Sequence, residues 1–433
     1  MSQSSMLEHS ELPRVPQVRR WGYALLIMVL AAVNLRAGVT VVGPLVGLIE
    51  DDLGIGSVGV ALLISLPLVC FGIFSPLVPR LCAGRSMEAV IAVALGVICL
   101  GAGVRSLNSD VALWCGTVAL GAGIAVLNVV MPALLKRDFP DHVAVITGVY
   151  MSAQAMAAAL STSTAVPIAE ATDAGWRLAL GVWAIPPMVG IAVLAPRILR
   201  KRKSVSPRVG EANLVEPGWS PWTSARCWQV AVFMGAQSTV YYVILTSWPT
   251  LEVAAGIDRT TAGLHQGIMQ VSSIVGLLLW SWVLRRMPRD QRILAWSASL
   301  TVVALGLVVV CPEQILIWNI VIGATTGGAL VHALALFGLR TQNPAYAMEI
   351  SSMAQSFGYF VAACGPLLAG FLLSATPSGR SVLAFIGVLL VIQIVAAHAA
   401  SRPGLVGREI SRKQPGNTTA VAFSGHVGDG EAS

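Results

Sequence analysis

Twelve stretches of roughly 20 apolar residues succeed one another along this chain, and they constrain its fold more than any other feature. As helices rising 1.5 Å per residue, stretches of about this length cross the ~30 Å hydrocarbon layer of a bilayer. They fall at about 22–45, 57–79, 87–105, 110–135, 143–168 and 176–196, then at 227–250, 260–284, 292–311, 313–339, 347–373 and 381–401. The least marked division is Cys311-Pro312-Glu313, between the ninth and tenth. Backbone polar groups have no water to bond inside lipid, so such stretches must be helical. Only 11% of residues are charged, against about 25% in soluble domains. The expected class is an all-α integral membrane protein with twelve transmembrane helices.

The charges that remain are distributed unevenly. Counting around the spans places 23 cations in one set of alternate loops and tails, and four (Arg105, Arg177, Arg259, Arg380) in the other set. The positive-inside rule then predicts that both termini lie in the cytoplasm. The same distribution explains the net charge of +7 without a nucleic-acid partner. Met1–Arg20 is polar and precedes a span with no cleavage signature, so a cytoplasmic tail (residues 1–20) is expected and not a signal peptide. Of the seven cysteines, none forms a Cys-x-x-Cys pair, and packing is their expected role. No cofactor or metal is implied.

Pro196–Arg226 is the long polar interior stretch, with Arg200-Lys201-Arg202-Lys203 at its start. It reads as a cytoplasmic linker (197–226) between a bundle over 21–196 and another over 227–401. The tail 402–433 is polar and glycine-rich, the composition of a disordered segment. At an offset of 204 the halves echo each other: Asn128 with His332, Lys136 with Arg340, Pro140 with Pro344, Thr147 with Ser351, Ser152 with Ser356. Two six-helix bundles in parallel repeat place a binding site near the bilayer midplane between them.

Several short strings carry a family resemblance across residues 21–401. They are Asn34-Leu35-Arg36, Lys136-Arg137-Asp138-Phe139-Pro140-Asp141, Gly175-Trp176-Arg177-Leu178-Ala179-Leu180-Gly181, Phe233-Met234-Gly235-Ala236-Gln237-Ser238 with Tyr241-Tyr242, Met353-Ala354-Gln355-Ser356-Phe357-Gly358-Tyr359, and Gly365-Pro366-Leu367-Leu368-Ala369-Gly370. In order and spacing the chain resembles the cyanate permease and 2-nitroimidazole exporter branch of the major facilitator superfamily. The resemblance implies a transporter whose fifth, seventh and eleventh helices approach a central cavity. The loop after the second span departs from the superfamily pattern: Pro79-Arg80 and Gly84-Arg85 stand where an acid usually precedes a base.

Arg36 lies near the middle of the first apolar stretch. A guanidinium at that depth costs about 2.5–3.5 kcal/mol on insertion scales and is tolerated beside a cavity, a partner or a ligand. The sequence sets no acid deep in a span: Glu88, Asp110, Glu170, Glu252, Glu313 and Glu349 fall at or near span ends. Arg36 is therefore expected to keep its donors for a solute, with Thr40 one turn on sharing its face and Asn128 as a second polar group. A structural cation oriented by Asn128 is the plainer alternative. A scheme of coupling through a buried carboxylate is disfavoured on the same grounds. That leaves His265 and His332 as the titratable groups for proton coupling, or as helix-packing residues.

Three helices carry a Gln/Tyr pair four residues apart, which places both side chains on one face. These are Tyr150 with Gln154, Gln237 with Tyr241, and Gln355 with Tyr359. Phenols and amides can grip a small flat polar ligand, or bond helix to helix for about 0.6 kcal/mol per contact. Together these features predict a secondary transporter of a small anionic or electron-rich solute, cyanate-like or nitroaromatic, acting by alternating access. It is expected to work as a monomer in the cell inner or plasma membrane, with no enzymatic chemistry. The rival expectations are an exporter of neutral drug-like compounds and a membrane sensor that binds without translocating.

Overall fold

The computed structural model describes residues 15–55, 57–201, 219–286, 292–376 and 379–406. The N-terminal residues 1–14, most of the linker (202–218) and the tail from 407 onward lie outside the described residues. Apolar stretches that must satisfy their own backbone form helices throughout. The first span is broken into α1 (Val15–Val33), α2 (Ala37–Thr40) and α3 (Val42–Leu53). The second runs from α4 (Ser57–Phe74) through a tight turn into α5 (Val78–Cys82). The third to fifth are α6 (Met87–Val104), α7 (Asp110–Asp138) and α8 (Val143–Glu170). The sixth joins α9 (Gly175–Gly181) to α10 (Ile185–Lys201).

The second half is more regular. It comprises α11 (Ala225–Ala254), α12 (Arg259–Arg286), α13 (Arg292–Val310), α14 (Ile315–Leu339), α15 (Pro344–Ala375) and α16 (Arg380–Ala400). All twelve expected spans are therefore helical, and among the described residues ten segments are both long and apolar enough to cross a membrane. The ninth, α13, contains a shorter apolar stretch, Ser299–Val308. The fifth, α8, is diluted by Ser161-Thr162-Ser163-Thr164, whose hydroxyls donate to Ala158 and Leu160 carbonyls at 2.7–3.1 Å. Bonded back to their own helix, those hydroxyls need no water.

Helix ends follow local chemistry. Ser86 and Ser109 accept from the Ala89 and Ala112 amides to start α6 and α7. Asn343, with Pro344 behind it, accepts from Ala345 and Tyr346 to start α15, an arrangement that satisfies otherwise orphaned amides. Gly54, at φ 60°, closes α3. Large apolar side chains such as Val93, Leu100, Val111 and Phe371 point outward and are at least 64% exposed. A surface of that kind belongs against lipid.

Glycines set how closely the helices pack. A Cβ on Gly276, Gly323 or Gly327 would run into the Ala324, Met269 or Ser273 carbonyl, so α12 and α14 touch backbone to backbone. Gly101 and Gly116 do the same between α6 and α7. Small residues are what permit such approach in lipid. The halves meet where α4 and α7 pack on α15 and where α8 packs on α12 and α14. Cys70, Cys82 and Cys227 are buried as packing residues, whereas Cys115 and Cys364 are exposed on the outer surface.

Among the expected loop cations, Arg105 and Arg340 are not in solvent. Arg105 is 1% exposed. It follows α6 directly, lies in the notch left by Gly116, and donates from Nη1 to the Gly38 carbonyl at 2.5 Å. The absence of a side chain on Gly116 gives the guanidinium stem this inward path.

Candidate functional site: a cavity between the halves

The first span breaks at Asn34–Arg36, just ahead of a run of weak helix formers, Gly38-Val39-Thr40-Val41-Val42-Gly43. Asn34 turns its side chain back to donate to the Leu30 carbonyl at 2.7 Å, the competition with backbone bonding that Asn favours. Arg36 then stands outside regular helix, at φ −127° and ψ −36°, directly before α2. The break lies near the middle of the apolar stretch Trp21–Leu53 and leaves the Arg36 side chain partly exposed to a cavity.

That cavity lies between the halves and is small, with about 50 Å³ of free volume. Arg36 and Gln154 line it from the first half; Gln237, Tyr241, Tyr242 and Tyr359 line it from the second. Arg36 is the one charged side chain among the described lining residues. Its Nη1 donates to the Tyr241 hydroxyl at 3.3 Å, and its Cζ lies 5.4 Å from the centre of that ring. Gln270 of α12 donates to the same hydroxyl at 3.1 Å. With its oxygen accepting twice, Tyr241 has its own O–H left to donate. The site thus presents a cation, a phenolic donor and amides on walls of tyrosine faces. Such a set suits a small ligand rich in acceptor oxygens or nitrogens.

Comparison with known proteins agrees with this architecture. Residues 28–239 match the Major Facilitator Superfamily. The 2-nitroimidazole transporter of Escherichia coli K12 is 32% identical over 377 residues, covering 87% of this chain and 94% of that protein. The transporter YycB of Bacillus subtilis strain 168 is 31% identical over 377 residues, covering 87% and 92%. The chain belongs to the major facilitator superfamily. The cyanate transport protein CynX of E. coli K12 is 26% identical over 352 residues, covering 81% and 90%. Among solved structures, a proton:xylose symporter of the superfamily aligns with a TM-score of 0.68 at 15% identity, over 88% of this chain and 95% of that one. The superfamily transporter FucP in the outward conformation also gives 0.68, at 11% identity over 88% and 100%. Both show the fold alone.

Within this major facilitator transporter the expected site residues separate into two groups. Arg36, Gln154, Gln237, Tyr241 and Tyr359 meet at the cavity. Thr40 does not line it: beyond the helix break its hydroxyl bonds Ser161 Oγ at 2.7 Å and donates to the Arg36 carbonyl at 3.1 Å, tying α2 to α8. Asn128 does not orient Arg36; its carbonyl accepts from Gln355 Nε2 at 2.9 Å. Gln355, 1% exposed, also donates to Ser351 Oγ at 2.7 Å, so it fastens α15 to α7 outside the cavity. Tyr150 is buried in the first-half core. His332 is fully buried near the C-terminal ends of α14 and α16, beside Phe233 and 2.9 Å from Ser401 Oγ. In each Gln/Tyr pair the helix turns one member toward the cavity, and only Gln237 with Tyr241 turns both. Tyr242, Ser238 and Thr326 line it as well; the adjacent Tyr241-Tyr242 was the available sign of the first.

The expectation that no acid is buried fails at two positions. Glu88 is 2% exposed and pairs with Arg137 at 3.1 Å. Glu252, also 2% exposed, is near the end of α11 but enclosed by α12 and α14. Its Oε1 accepts from Asn319 Nδ2 at 2.6 Å and Trp248 Nε1 at 3.1 Å, and its Oε2 lies 3.2 Å from His265 Nδ1. Position near a helix end does not imply exposure when neighbouring helices overlap that end. Asp258, Glu313 and Arg380, the other charged residues described at this end of the second half, are exposed.

Proposed function

We propose that this transporter carries a small anionic or electron-rich solute, of the cyanate-like or nitro-bearing kind, by alternating access. The observation that carries the reading is Arg36, the single charged group among the described residues lining the cavity, held by a phenol from the opposite half. A carboxylate at that place would neutralise it; a phenol leaves its charge for a solute. The forked guanidinium suits paired or delocalised acceptor atoms, and the tyrosine walls suit a flat body. The names of the relatives, a 2-nitroimidazole transporter and a cyanate transport protein, point to solutes of this kind. Because Arg36 and Tyr241 come from different halves, a solute bridging them would bias the protein toward closure.

His265 with Glu252 is our choice for a proton-carrying pair. The two groups lie on α12 and α11, and the same helices are joined nearer the cavity by Gln266 to the Leu245 carbonyl and Gln270 to Tyr241. A proton gained or lost at the pair would act on a polar seam that ends at the Arg36 partner. The 23-to-4 cation asymmetry supports cytoplasmic termini in a cell inner or plasma membrane.

The test is a ligand screen by thermal stabilisation, followed by flux into proteoliposomes. Cyanate or 2-nitroimidazole should stabilise the wild type and be carried. Arg36→Ala and Arg36→Lys should lose both responses while still reaching the membrane. Wild-type flux in both variants would remove Arg36 from recognition. Stabilisation by neutral aromatics alone, with no competition from small anions, would favour the drug-exporter reading instead.

A further inference from the structure

A second cavity lies at the end of the second half where α11 begins and α14 and α16 end. It holds about 230 Å³ and is lined by Arg226, Gln229, Arg340 and Arg402, together with Pro403 and Gly404. No acidic side chain is among the lining residues described. The segment after α16 folds over it: Val406 N donates to the Arg340 carbonyl at 2.9 Å, and Arg226 Nη1 donates to the Leu405 carbonyl at 3.2 Å. Gly404, at φ 139°, takes a backbone path that a side chain would strain, and a Cβ there would displace the Arg226 guanidinium.

Arg340 is the informative residue. It is 6% exposed and donates one bond, Nη1 to the Gly404 carbonyl at 3.3 Å, while its buried Nε and Nη2 have no hydrogen-bond partner. Burial, and then the nearby Arg226, push its guanidinium down to about 10. A cation that has lost its water, faces another cation and keeps two idle donors is in an unfavourable state. The ends of α14 and α16 favour cations through their dipoles, but Arg226 on the first turn of α11 is opposed by its own. Helix ends therefore do not account for the group of three.

We propose that this cavity is a binding site for a phosphate-type oxyanion, held between Arg340 and Arg226 with Arg402 at the mouth. Two sources offer that chemistry: the headgroup of an anionic phospholipid and a free phosphate in the aqueous phase. The surroundings favour the lipid. Trp222, 46% exposed just before α11, and Trp296, 60% exposed early in α13, stand at the same end of the bundle. Exposed indoles of this kind mark headgroup depth, where basic pockets between helices take anionic lipid. The site is separate from the Arg36 cavity and does not depend on which solute is carried.

The experiment uses the full chain purified in detergent. Its Tm is measured after adding phosphatidylglycerol, phosphatidylcholine or inorganic phosphate, with native mass spectrometry counting retained lipid. Phosphatidylglycerol should raise Tm by on the order of 2–4 °C and remain bound, and phosphatidylcholine should do neither. A rise with inorganic phosphate alone would assign the same site to a free anion. Arg226→Gln/Arg402→Gln, which spares the buried Arg340, should lose most of the response, and Arg340→Gln should lose it where that variant folds. Equal responses in the wild type and the double variant, or no response to any anion, would overturn the proposal.

Discussion

At the residue scale, Arg36 could be recognised from sequence because a guanidinium inside an apolar run is costly wherever its helix packs. Its partner could not be, since Tyr241 lies 205 positions away and meets it only through the packing of the halves. Tyr241→Phe should keep the ring beside Arg36 but remove a hydroxyl that accepts from two donors and has one to give. We expect solute affinity to fall about tenfold, in line with one lost charge-assisted bond, with insertion unchanged. Isothermal titration with the solute found in the screen would measure it, and unchanged affinity would show that the phenol is only a wall. Glu252 taught the reverse lesson, because its place near a span end hid its burial. If the Glu252–His265 pair carries the coupling proton, Glu252→Gln should flatten the pH dependence of flux in proteoliposomes while leaving solute binding. A pH profile with the wild-type slope would exclude it.

At the scale of elements, periodic apolar stretches and caps made nearly every helix legible, including the small-residue patches that mark close contacts. Gly327-Gly328 reads as a patch from sequence, but which helix fills it depends on azimuth, and azimuth is set by tertiary packing. The structure puts the Ser273 carbonyl over Gly327 and the Trp280 ring over Gly328. Gly327→Leu must separate α12 from α14 or distort a backbone with no slack. A destabilisation of about 1–3 kcal/mol or more is expected, read as reduced yield and lower Tm in detergent. Arg105 belongs at this scale too, because it joins the end of α6 to the broken first span through the Gly38 carbonyl. A count of loop charges could not reveal that a glycine notch draws it inward. Arg105→Ala would leave that carbonyl unpaired and should cost about 1–3 kcal/mol; a Tm equal to that of the wild type would show that the contact carries no stability.

For the whole molecule, the repeat predicted two bundles with a site between them, but not which end of the interface is shut. Ser352 donates to the Ser75 carbonyl and Ser356 to the Gly72 carbonyl, both at 2.8 Å, and Gln355 reaches the Asn128 carbonyl. These bonds join the halves along the early turns of α15, about 12–18 Å along the helix from its start at Pro344 at 1.5 Å per residue. Tyr241 lies about 24 Å into α11, which starts at the same face. The seam therefore separates the Arg36 cavity from the face that carries the linker. Opening toward that face must break these bonds, and two hydrogen bonds worth about 0.5–1.5 kcal/mol each amount to roughly a 5- to 150-fold bias toward the closed arrangement. Ser352→Ala with Ser356→Ala should release that bias without altering any group at the cavity. A cysteine placed at Ala155, which lines the cavity, can report the change in a background lacking the native cysteines. A membrane-impermeant maleimide applied from the linker face should label it slowly in the parent and several-fold faster in the double variant, and a saturating solute should slow both. Equal labelling rates would mean that packing of α4 on α15, where Gly72 seats the Phe360 ring, holds that end shut without help from the serines.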